Sequence, residues 1–281
     1  MLHAPLSFLE SLLSDDCPYE DLTTEGLGIG RRIGRVIAAP KAEGIVAGIG
    51  IAAQLFELRG VRTKILAEDG AALAAGEPAL EAEGSAEALH AVYKTAQNVM
   101  EYASGIANRT AAMTAAARAE NSAVQVALTR KHFPGAKLIS YAGALAGGGI
   151  IHRFGLSDSI LVFDQHRVFC SDSDEAIRRL IASAPERKVA VEADSPEEAL
   201  HFVQLGIHII QCERFEPEQL ERFVREAKTA NPALIVNAAG GVTAENAAAY
   251  ARAGADVLVT SWPYFGRPFD IKMRFACGDR T

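Results

Sequence analysis

The sequence predicts an α/β barrel of the TIM type, complete or incomplete, that follows an α+β open-sandwich domain. From residue 123 onward, short apolar runs alternate with helical segments, and no G-x-G-x-x-G motif follows any of these runs. Continuously apolar strands belong to parallel sheets that are buried on both faces. The missing dinucleotide-binding motif favours a barrel over an open sheet. The predicted strands are 123–128, 159–163, 189–191, 207–210, 234–236 and 257–259.

The first third of the chain has a different pattern, in which turns separate short strands and helices. Strands are expected at Arg32–Pro40 and Thr63–Ala67, with a glycine-punctuated turn between them at Gly44–Gly50. This pattern is typical of an antiparallel sheet combined with helices. Residues 86–119 are rich in alanine and carry apolar side chains at helical spacing, which predicts a long connecting helix, either single or broken near Gly105.

Helix-start signals and the change of pattern define the expected domain boundaries. We expect an N-terminal domain at residues 1–108, joined by the tail 268–281, and a barrel domain at residues 109–267. Inside the barrel, Ser195 followed by proline and two glutamates predicts a helix with a capping box. Thr243 is expected to open another helix.

Composition and charge exclude several classes of protein. The 281 residues carry a formal net charge of −7, whereas non-specific nucleic-acid binding needs a broad basic surface. No apolar stretch reaches the roughly 18 residues of a membrane span, and the first residues lack the basic region of a secretion signal. The four cysteines form neither a C-x-x-C pair nor a zinc pattern. We therefore expect reduced thiols in a cytoplasmic protein.

Basic and imidazole side chains gather where the predicted strands end. Arg130 and Lys131 follow one strand, His152 and Arg153 follow three consecutive glycines, and His166 follows another strand. In α/β barrels the carboxyl ends of the strands form the face that carries the active site. The pattern predicts a pocket for phosphate, carboxylate or both. A solvated basic pair, a flexible loop and a structural histidine are the simpler alternatives.

Two carboxylates and a glycine pair end later strands. Glu192 and Glu213 can together hold Mg²⁺, because this ion is commonly bound by one or two carboxylates plus phosphate oxygens of the substrate. They can equally form salt bridges to the basic cluster. Gly240 and Gly241 precede a predicted helix start, which indicates either a phosphate-binding turn or a plain strand-to-helix turn.

Six motifs, in order along the chain, resemble those of the quinolinate phosphoribosyltransferase family, also called nicotinate-nucleotide pyrophosphorylase (carboxylating). Residues 104–107 match the family's S-G-(I/V)-A as they stand. The other matching segments are 19–24 (YEDLTT), 93–98 (YKTAQN), 129–135 (TRKHFPG), 147–153 (GGGIIHR) and 161–166 (LVFDQH). The resemblance covers essentially the full length of the chain.

The resemblance implies a glycosyltransferase of NAD biosynthesis that uses phosphoribosyl pyrophosphate and Mg²⁺. It implies that Glu192 and Glu213 are catalytic and metal-binding. The other residues that it places in substrate binding are Lys94, Arg130, Lys131, His152, Arg153, His166, Gly240 and Gly241. In the family, the cation that matches Lys94 reaches the neighbouring subunit's site. The resemblance therefore also implies a homodimer with shared active sites, or a higher oligomer built from it.

Departures from the family motifs leave the acceptor open. Phe163 stands where the family has a lysine, Ala190 where it has a glutamate and Ala239 where it has a serine. Arg167 is a candidate to replace the charge lost at Phe163. These departures resemble the divergent branch encoded beside molybdate-transport genes. One alternative is a transferase that acts on another heteroaromatic acid, linked to molybdenum metabolism. The other is a non-catalytic anion-binding protein with the same fold.

Overall fold

The computed structural model describes residues 3–278. In chain order its elements are α1 (Leu6–Asp16), α2 (Leu22–Gly26), β1 (Ile33–Pro40), β2 (Gly44–Ile45), α3 (Ile49–Leu58), β3 (Arg62–Ile65), β4 (Ala72–Leu73), β5 (Leu80–Ser85), α4 (Ala86–Glu120), β6 (Gln125–Leu128), α5 (Lys137–Ala146), β7 (Ile150–Ile151), β8 (Ile160–Val162), α6 (Asp164–Arg167), α7 (Ser173–Ser183), β9 (Val189–Ala193), α8 (Pro196–Gln204), β10 (Ile209–Glu213), α9 (Pro217–Ala230), β11 (Ile235–Ala239), α10 (Ala247–Arg252), β12 (Val257–Thr260) and β13 (Ile271–Cys277).

The chain divides into two compact units. One contains the residues through Thr110, the segment Phe133–Gly148 and the residues from Tyr264 onward; the other contains Ala111–His132 and Gly149–Pro263. The segment Phe133–Gly148, which includes α5, therefore groups with the N-terminal unit, whereas the sequence pattern places it with the barrel. Helix α4 is a single helix of 35 residues that runs from the first unit into the second.

The first unit is built on a four-stranded antiparallel sheet of order β13-β1-β5-β3. The C-terminal strand β13 pairs along seven residues of β1, so the tail completes this sheet. Helix α3 buries Leu55 and Phe56, and α4 buries Val92 and Met100, in one apolar core with the sheet. The predicted N-terminal α+β domain is thus confirmed as a domain of strands and helices.

The second unit is a curled parallel sheet of seven strands, in the order β7-β6-β12-β11-β10-β9-β8. Strand β6 is the first strand of this sheet along the chain and β12 is the last. The two pair in parallel, as the first and last strands of a barrel do. Within residues 3–278, the edge strands β7 and β8 do not pair with each other, so the barrel is incomplete. The barrel prediction is confirmed in its incomplete form. The two-residue strand β7 is not predictable, because a pair of isoleucines after glycines gives no strand-length pattern.

Small side chains line the concave face of the curled sheet. Ala127, Ala239 and Val259 form a buried cluster there, which leaves room for longer polar side chains to project from the same face. Outside, Ser195 caps α8 as predicted, since its hydroxyl accepts a hydrogen bond from the Glu198 N–H at 3.2 Å. The Glu198 carboxylate accepts from the Asp194 N–H instead of that of Ser195, so the predicted capping box is only half formed.

Thr243 does not open a helix, which corrects the second predicted helix start. Helix α10 begins at Ala247, because the Asn246 side chain accepts a hydrogen bond from the Thr243 N–H at 2.8 Å and donates to the Gly241 carbonyl at 3.0 Å. These bonds hold residues 241–246 in a turn. In the part of the chain that the structure describes, no helix is long and apolar enough to span a bilayer.

Candidate active site

A cavity of about 520 Å³ lies at the carboxyl ends of the barrel strands, and we call it the barrel mouth. Eight of the predicted site residues line it: Arg130, Lys131, His152, Arg153, Glu192, Glu213, Gly240 and Gly241. Phe163, Gln165, Gln211, Ala239, Thr243 and Trp262 are among its other lining residues. Cations and carboxylates that are far apart in sequence therefore share one opening, as expected for the ligand-binding face of a barrel.

Arg130 and Lys131 are placed by the turn that follows β6. The Thr129 hydroxyl accepts a hydrogen bond from the Lys131 N–H at 3.1 Å, which turns the chain away from the strand direction. Both basic side chains are exposed in the mouth. An exposed arginine suits a planar anion that takes two hydrogen bonds, and a lysine suits a point contact with phosphate.

His152 and Arg153 follow β7, and their charges differ. The His152 N–H donates to the Leu128 carbonyl at 3.0 Å and ties this segment to β6. Burial, assisted by the Arg153 charge, lowers the pKa of His152 to about 4. At neutral pH His152 is therefore an uncharged hydrogen-bonding group rather than a cation. Arg153 is only 6% exposed, and burial followed by the Arg130 charge lowers its pKa.

The Phe163 ring contacts both Arg153 and His166. The Arg153 guanidinium carbon lies 5.3 Å from the centre of the Phe163 ring, which is within the range of a cation–π interaction. On α6, the His166 ring stacks on Phe163 with the centroids 5.7 Å apart, and its Nδ1 accepts a hydrogen bond from the Phe163 N–H at 3.0 Å. His166 lines a neighbouring cleft and is not among the residues of the mouth.

Arg167 does not take the place of the cation that is missing at Phe163. Its guanidinium pairs with Glu198 at 2.5 Å and with Asp164 at 3.5 Å, and it lies 5.0 Å from the centre of the Phe202 ring. These contacts hold Arg167 against α8, and it does not line the mouth. The wall at Phe163 is therefore aromatic without a compensating charge from this arginine.

Glu192 and Glu213 lie at the ends of the neighbouring parallel strands β9 and β10. The Glu192 carboxylate accepts a hydrogen bond from the Gln211 amide at 2.7 Å. Burial raises the pKa of Glu192, and the charges of Glu213 and Asp194 add to this, whereas the Gln211 hydrogen bond and Lys131 oppose it. The ion pair of Glu213 is with its own neighbour Arg214, at 3.6 Å. Two mutually repelling carboxylates therefore face the same mouth as the cations.

Gly240 and Gly241 form the turn after β11, and both have the left-handed φ that favours glycine, +80° and +88°. A Cβ on Gly240 would lie 2.7 Å from a Glu213 carboxylate oxygen, whereas a Cβ on Gly241 would meet nothing within 4 Å. The predicted helix N-terminus does not follow directly, since α10 begins only at Ala247. Gly240 instead lets the backbone approach the Glu213 carboxylate closely.

Lys94 lies elsewhere. It is exposed on α4 in the first unit, where its ammonium donates to Gln97 at 2.8 Å and lies 5.3 Å from the centre of the Tyr93 ring. It does not line the mouth. Its predicted role depends on the resemblance and stays a prediction.

Gln211 and Trp262 line the mouth although the sequence pattern did not single them out; Gln211 carries a signal that could have been used. It occurs inside the apolar strand β10, where the local pattern is that of a core strand. The available signal was its spacing: side chains alternate along a strand, so Gln211 and Glu213 face the same side. Gln211 is also the register partner of Glu192 on β9. Glu192, Gln211 and Glu213 therefore form one polar patch.

Comparison with known proteins covers both units. The model for "Quinolinate phosphoribosyl transferase, N-terminal domain" matches residues 21–104, and that for the C-terminal domain matches residues 106–274. ModD of Pasteurella multocida, a pyrophosphorylase by name, is 37% identical over 97% of this chain and 98% of its own. The nicotinate-nucleotide pyrophosphorylase (carboxylating) of Mycobacterium leprae is 31% identical over 88% of each chain.

Solved structures resemble the fold over nearly its whole length. The crystal structure of NadC from Streptococcus pyogenes superposes with a TM-score of 0.89 at 26% identity, covering 99% of this chain and 100% of that one.

Proposed function

Because this chain belongs to the quinolinate phosphoribosyltransferase family, whose members are pentosyltransferases, we propose that it transfers the phosphoribosyl group of phosphoribosyl pyrophosphate to an aromatic carboxylic acid. The acceptor is a pyridine or a related ring, and its ring nitrogen is the attacking atom. The observation that carries this proposal is the barrel mouth, where the cations Arg130, Lys131 and Arg153 share one cavity with the carboxylates Glu192 and Glu213.

The proposed transfer makes one bond and breaks one bond. The lone pair of the ring nitrogen forms a bond to the anomeric carbon, and the bond from that carbon to the pyrophosphate oxygen breaks, with its electron pair leaving on pyrophosphate. Positive charge develops on the sugar. Glu192 and Glu213 stabilise this charge electrostatically, because they are preorganised on rigid strands. Arg130, Lys131 and Arg153 bind the phosphates and the acceptor carboxylate.

If the acceptor is quinolinate, a second step follows. The ring-nitrogen product loses the adjacent carboxylate as carbon dioxide, and the ring carbon takes up a proton from solvent. The products are then nicotinate mononucleotide, pyrophosphate and carbon dioxide. His152, which is neutral at pH 7 because its pKa lies at about 4, can orient an acceptor carboxylate by hydrogen bonding without adding a charge.

Magnesium fits the residues of the mouth as a partner of pyrophosphate. Within residues 3–278 no group of three or more His, Cys, Asp or Glu side chains is placed to hold a metal, so an all-protein cage is absent there. Glu192 and Glu213, whose charges repel each other, supply the carboxylates that Mg²⁺ commonly combines with phosphate oxygens. When bound, the ion would neutralise charge on the leaving pyrophosphate.

A different heteroaromatic acceptor is the second candidate, and Phe163 favours it. The mouth has an aromatic wall at this position, and Arg167 is paired with Glu198 instead of supplying a charge. An acceptor with a single carboxylate fits this wall better than quinolinate, which carries two. The substrate of the alternative reaction would then belong to another pathway, such as molybdenum metabolism. A non-catalytic anion-binding protein would need the cations but not Glu192 and Glu213.

Release of pyrophosphate from phosphoribosyl pyrophosphate tests the proposal. The assay screens pyridine mono- and dicarboxylates and other heteroaromatic acids with Mg²⁺ present. We expect release that depends on an acceptor and is lost in Glu192→Gln and Arg130→Ala, with the exposed surface variant Arg178→Ala as a matched control. Binding of phosphoribosyl pyrophosphate without turnover for any acceptor would support the non-catalytic alternative and contradict the transferase.

A further inference from the structure

Gln211 is an amide that is buried in the middle of an apolar strand. The residue is 5% exposed, and its neighbours Ile210 and Cys212 are buried on the opposite face of the strand. Gln211 lies between Glu192 on β9 and Asn237 on β11, because it is the register partner of both. This row of polar side chains crosses three adjacent strands; Glu192 and Gln211 line the mouth, whereas Asn237 does not.

The Gln211 hydrogen bond has a defined direction. An ionised carboxylate can only accept hydrogen bonds, so the 2.7 Å contact requires the Gln211 Nε2 to donate to Oε2 of Glu192. The other end of the amide, Oε1, is then buried and has no donor among the residues that the structure describes. An unpaired buried acceptor destabilises a fold, whereas an apolar side chain of the same shape does not. Stability alone therefore does not account for a glutamine at this position.

We propose that Gln211 is a positioning residue that fixes the Glu192 carboxylate toward magnesium pyrophosphate. The inference rests on the proposed function. By donating to Oε2 of Glu192, Gln211 restricts the rotation of the Glu192 side chain. The other carboxylate oxygen of Glu192, its Oε1, is then left for the ligand. Hydrogen bonds to a metal-binding carboxylate act in this way in general, and their loss weakens metal binding about 10- to 100-fold. Gln211 touches neither the sugar nor the acceptor in this role.

The test compares ligand binding with thermal stability in the full-length protein. Gln211→Met keeps the length and volume of the side chain but cannot donate. We expect its affinity for inorganic pyrophosphate in the presence of Mg²⁺, measured by titration calorimetry, to fall about 10- to 100-fold, while its melting temperature stays unchanged or rises.

Asn237→Leu is the matched control. Asn237 is also a buried amide with an unpaired oxygen on the adjacent strand, and its side chain makes no hydrogen bond to Glu192. This variant should bind magnesium pyrophosphate like the wild type.

The outcomes separate the inference from the function on which it rests. Wild-type affinity in Gln211→Met would refute the positioning role and leave the proposed function standing. Parallel losses of affinity and melting temperature in Gln211→Met would show a structural role and also refute the inference. A wild-type protein that binds no pyrophosphate with Mg²⁺ would contradict the proposed function, and the inference would fall with it.

Discussion

Gly240→Ala should damage the site far more than Gly241→Ala, although the two glycines are adjacent and have nearly the same backbone angles. The φ values are +80° and +88°, so an alanine at either position costs about 1–2 kcal/mol of conformational energy. Only at Gly240 does the new Cβ meet other atoms: the Arg214 Cγ at 2.5 Å, a Glu213 carboxylate oxygen at 2.7 Å and the Arg214 backbone nitrogen at 2.9 Å.

The backbone contact makes this clash expensive. Arg214 itself has a positive φ of 57°, and its N–H donates to the Ala239 carbonyl at 2.8 Å, so the loops after β10 and β11 cannot separate easily. Overpacking of this kind costs typically about 1–3 kcal/mol. The sum for Gly240→Ala is about 2–5 kcal/mol, compared with about 1–2 kcal/mol for Gly241→Ala.

Calorimetric melting measures the difference between the two variants. At about 2 °C per kcal/mol for a chain of this size, Gly241→Ala should lower the melting temperature by about 2–4 °C and Gly240→Ala by about 4–10 °C. Because the clash displaces Glu213, Gly240→Ala should also lower pyrophosphate release at least about tenfold, an effect typical of a misplaced charged group. Equal behaviour of the two variants in both measurements would refute the role given to the Gly240–Glu213 contact.

Three further predictions concern charge and assembly. The pKa of His152 lies at about 4, below its unfolded value of about 6.5, so the free energy of unfolding should fall as the pH is lowered from 6.5 to 4. In His152→Gln the part of this fall that depends on the imidazole should vanish. An unchanged dependence of stability on pH in this variant would contradict the assignment. Phe163→Lys should raise the turnover of quinolinate about 10- to 100-fold, because a charge-assisted hydrogen bond contributes roughly 1.5–3 kcal/mol. A rate equal to that of the wild type would show that Phe163 does not select the acceptor. If Lys94 serves a neighbouring subunit, mixing inactive Lys94→Ala with inactive Arg130→Ala should restore activity in heterodimers, and no recovery after demonstrated subunit exchange would contradict a shared site.

The barrel could be predicted because its strands are continuously apolar and its polar residues follow strand ends. The same rule located Arg130, Glu192 and Glu213, since every carboxyl end of a parallel strand opens on one face. Strand β7 could not be predicted, because two isoleucines are too few to show the alternation of side chains that marks a strand. Segment Phe133–Gly148 groups with the N-terminal unit although it lies between barrel strands in sequence, because local pattern does not show which core a helix joins.

The remaining site residues depend on side-chain direction, which the sequence does not fix. His166 and Arg167 follow the same strand as Phe163, yet the short helix α6 points them to the cleft and to α8. The sequence pattern groups His152 with the cations, and only its burial shows that it is neutral. Gln211 is hidden because a polar residue inside an apolar strand has the same local pattern whether it faces a core or a cavity.

The identity of the product tests the central claim most directly. The protein is incubated with Mg²⁺, phosphoribosyl pyrophosphate labelled with ¹³C at its anomeric carbon, and each aromatic acid that supports pyrophosphate release. We predict a labelled nucleotide by mass spectrometry and NMR in which the ring nitrogen is bonded to the labelled carbon, formed in a one-to-one ratio with pyrophosphate and absent with Glu192→Gln. Pyrophosphate release with only labelled ribose 5-phosphate as product, for every acceptor, would contradict a transferase.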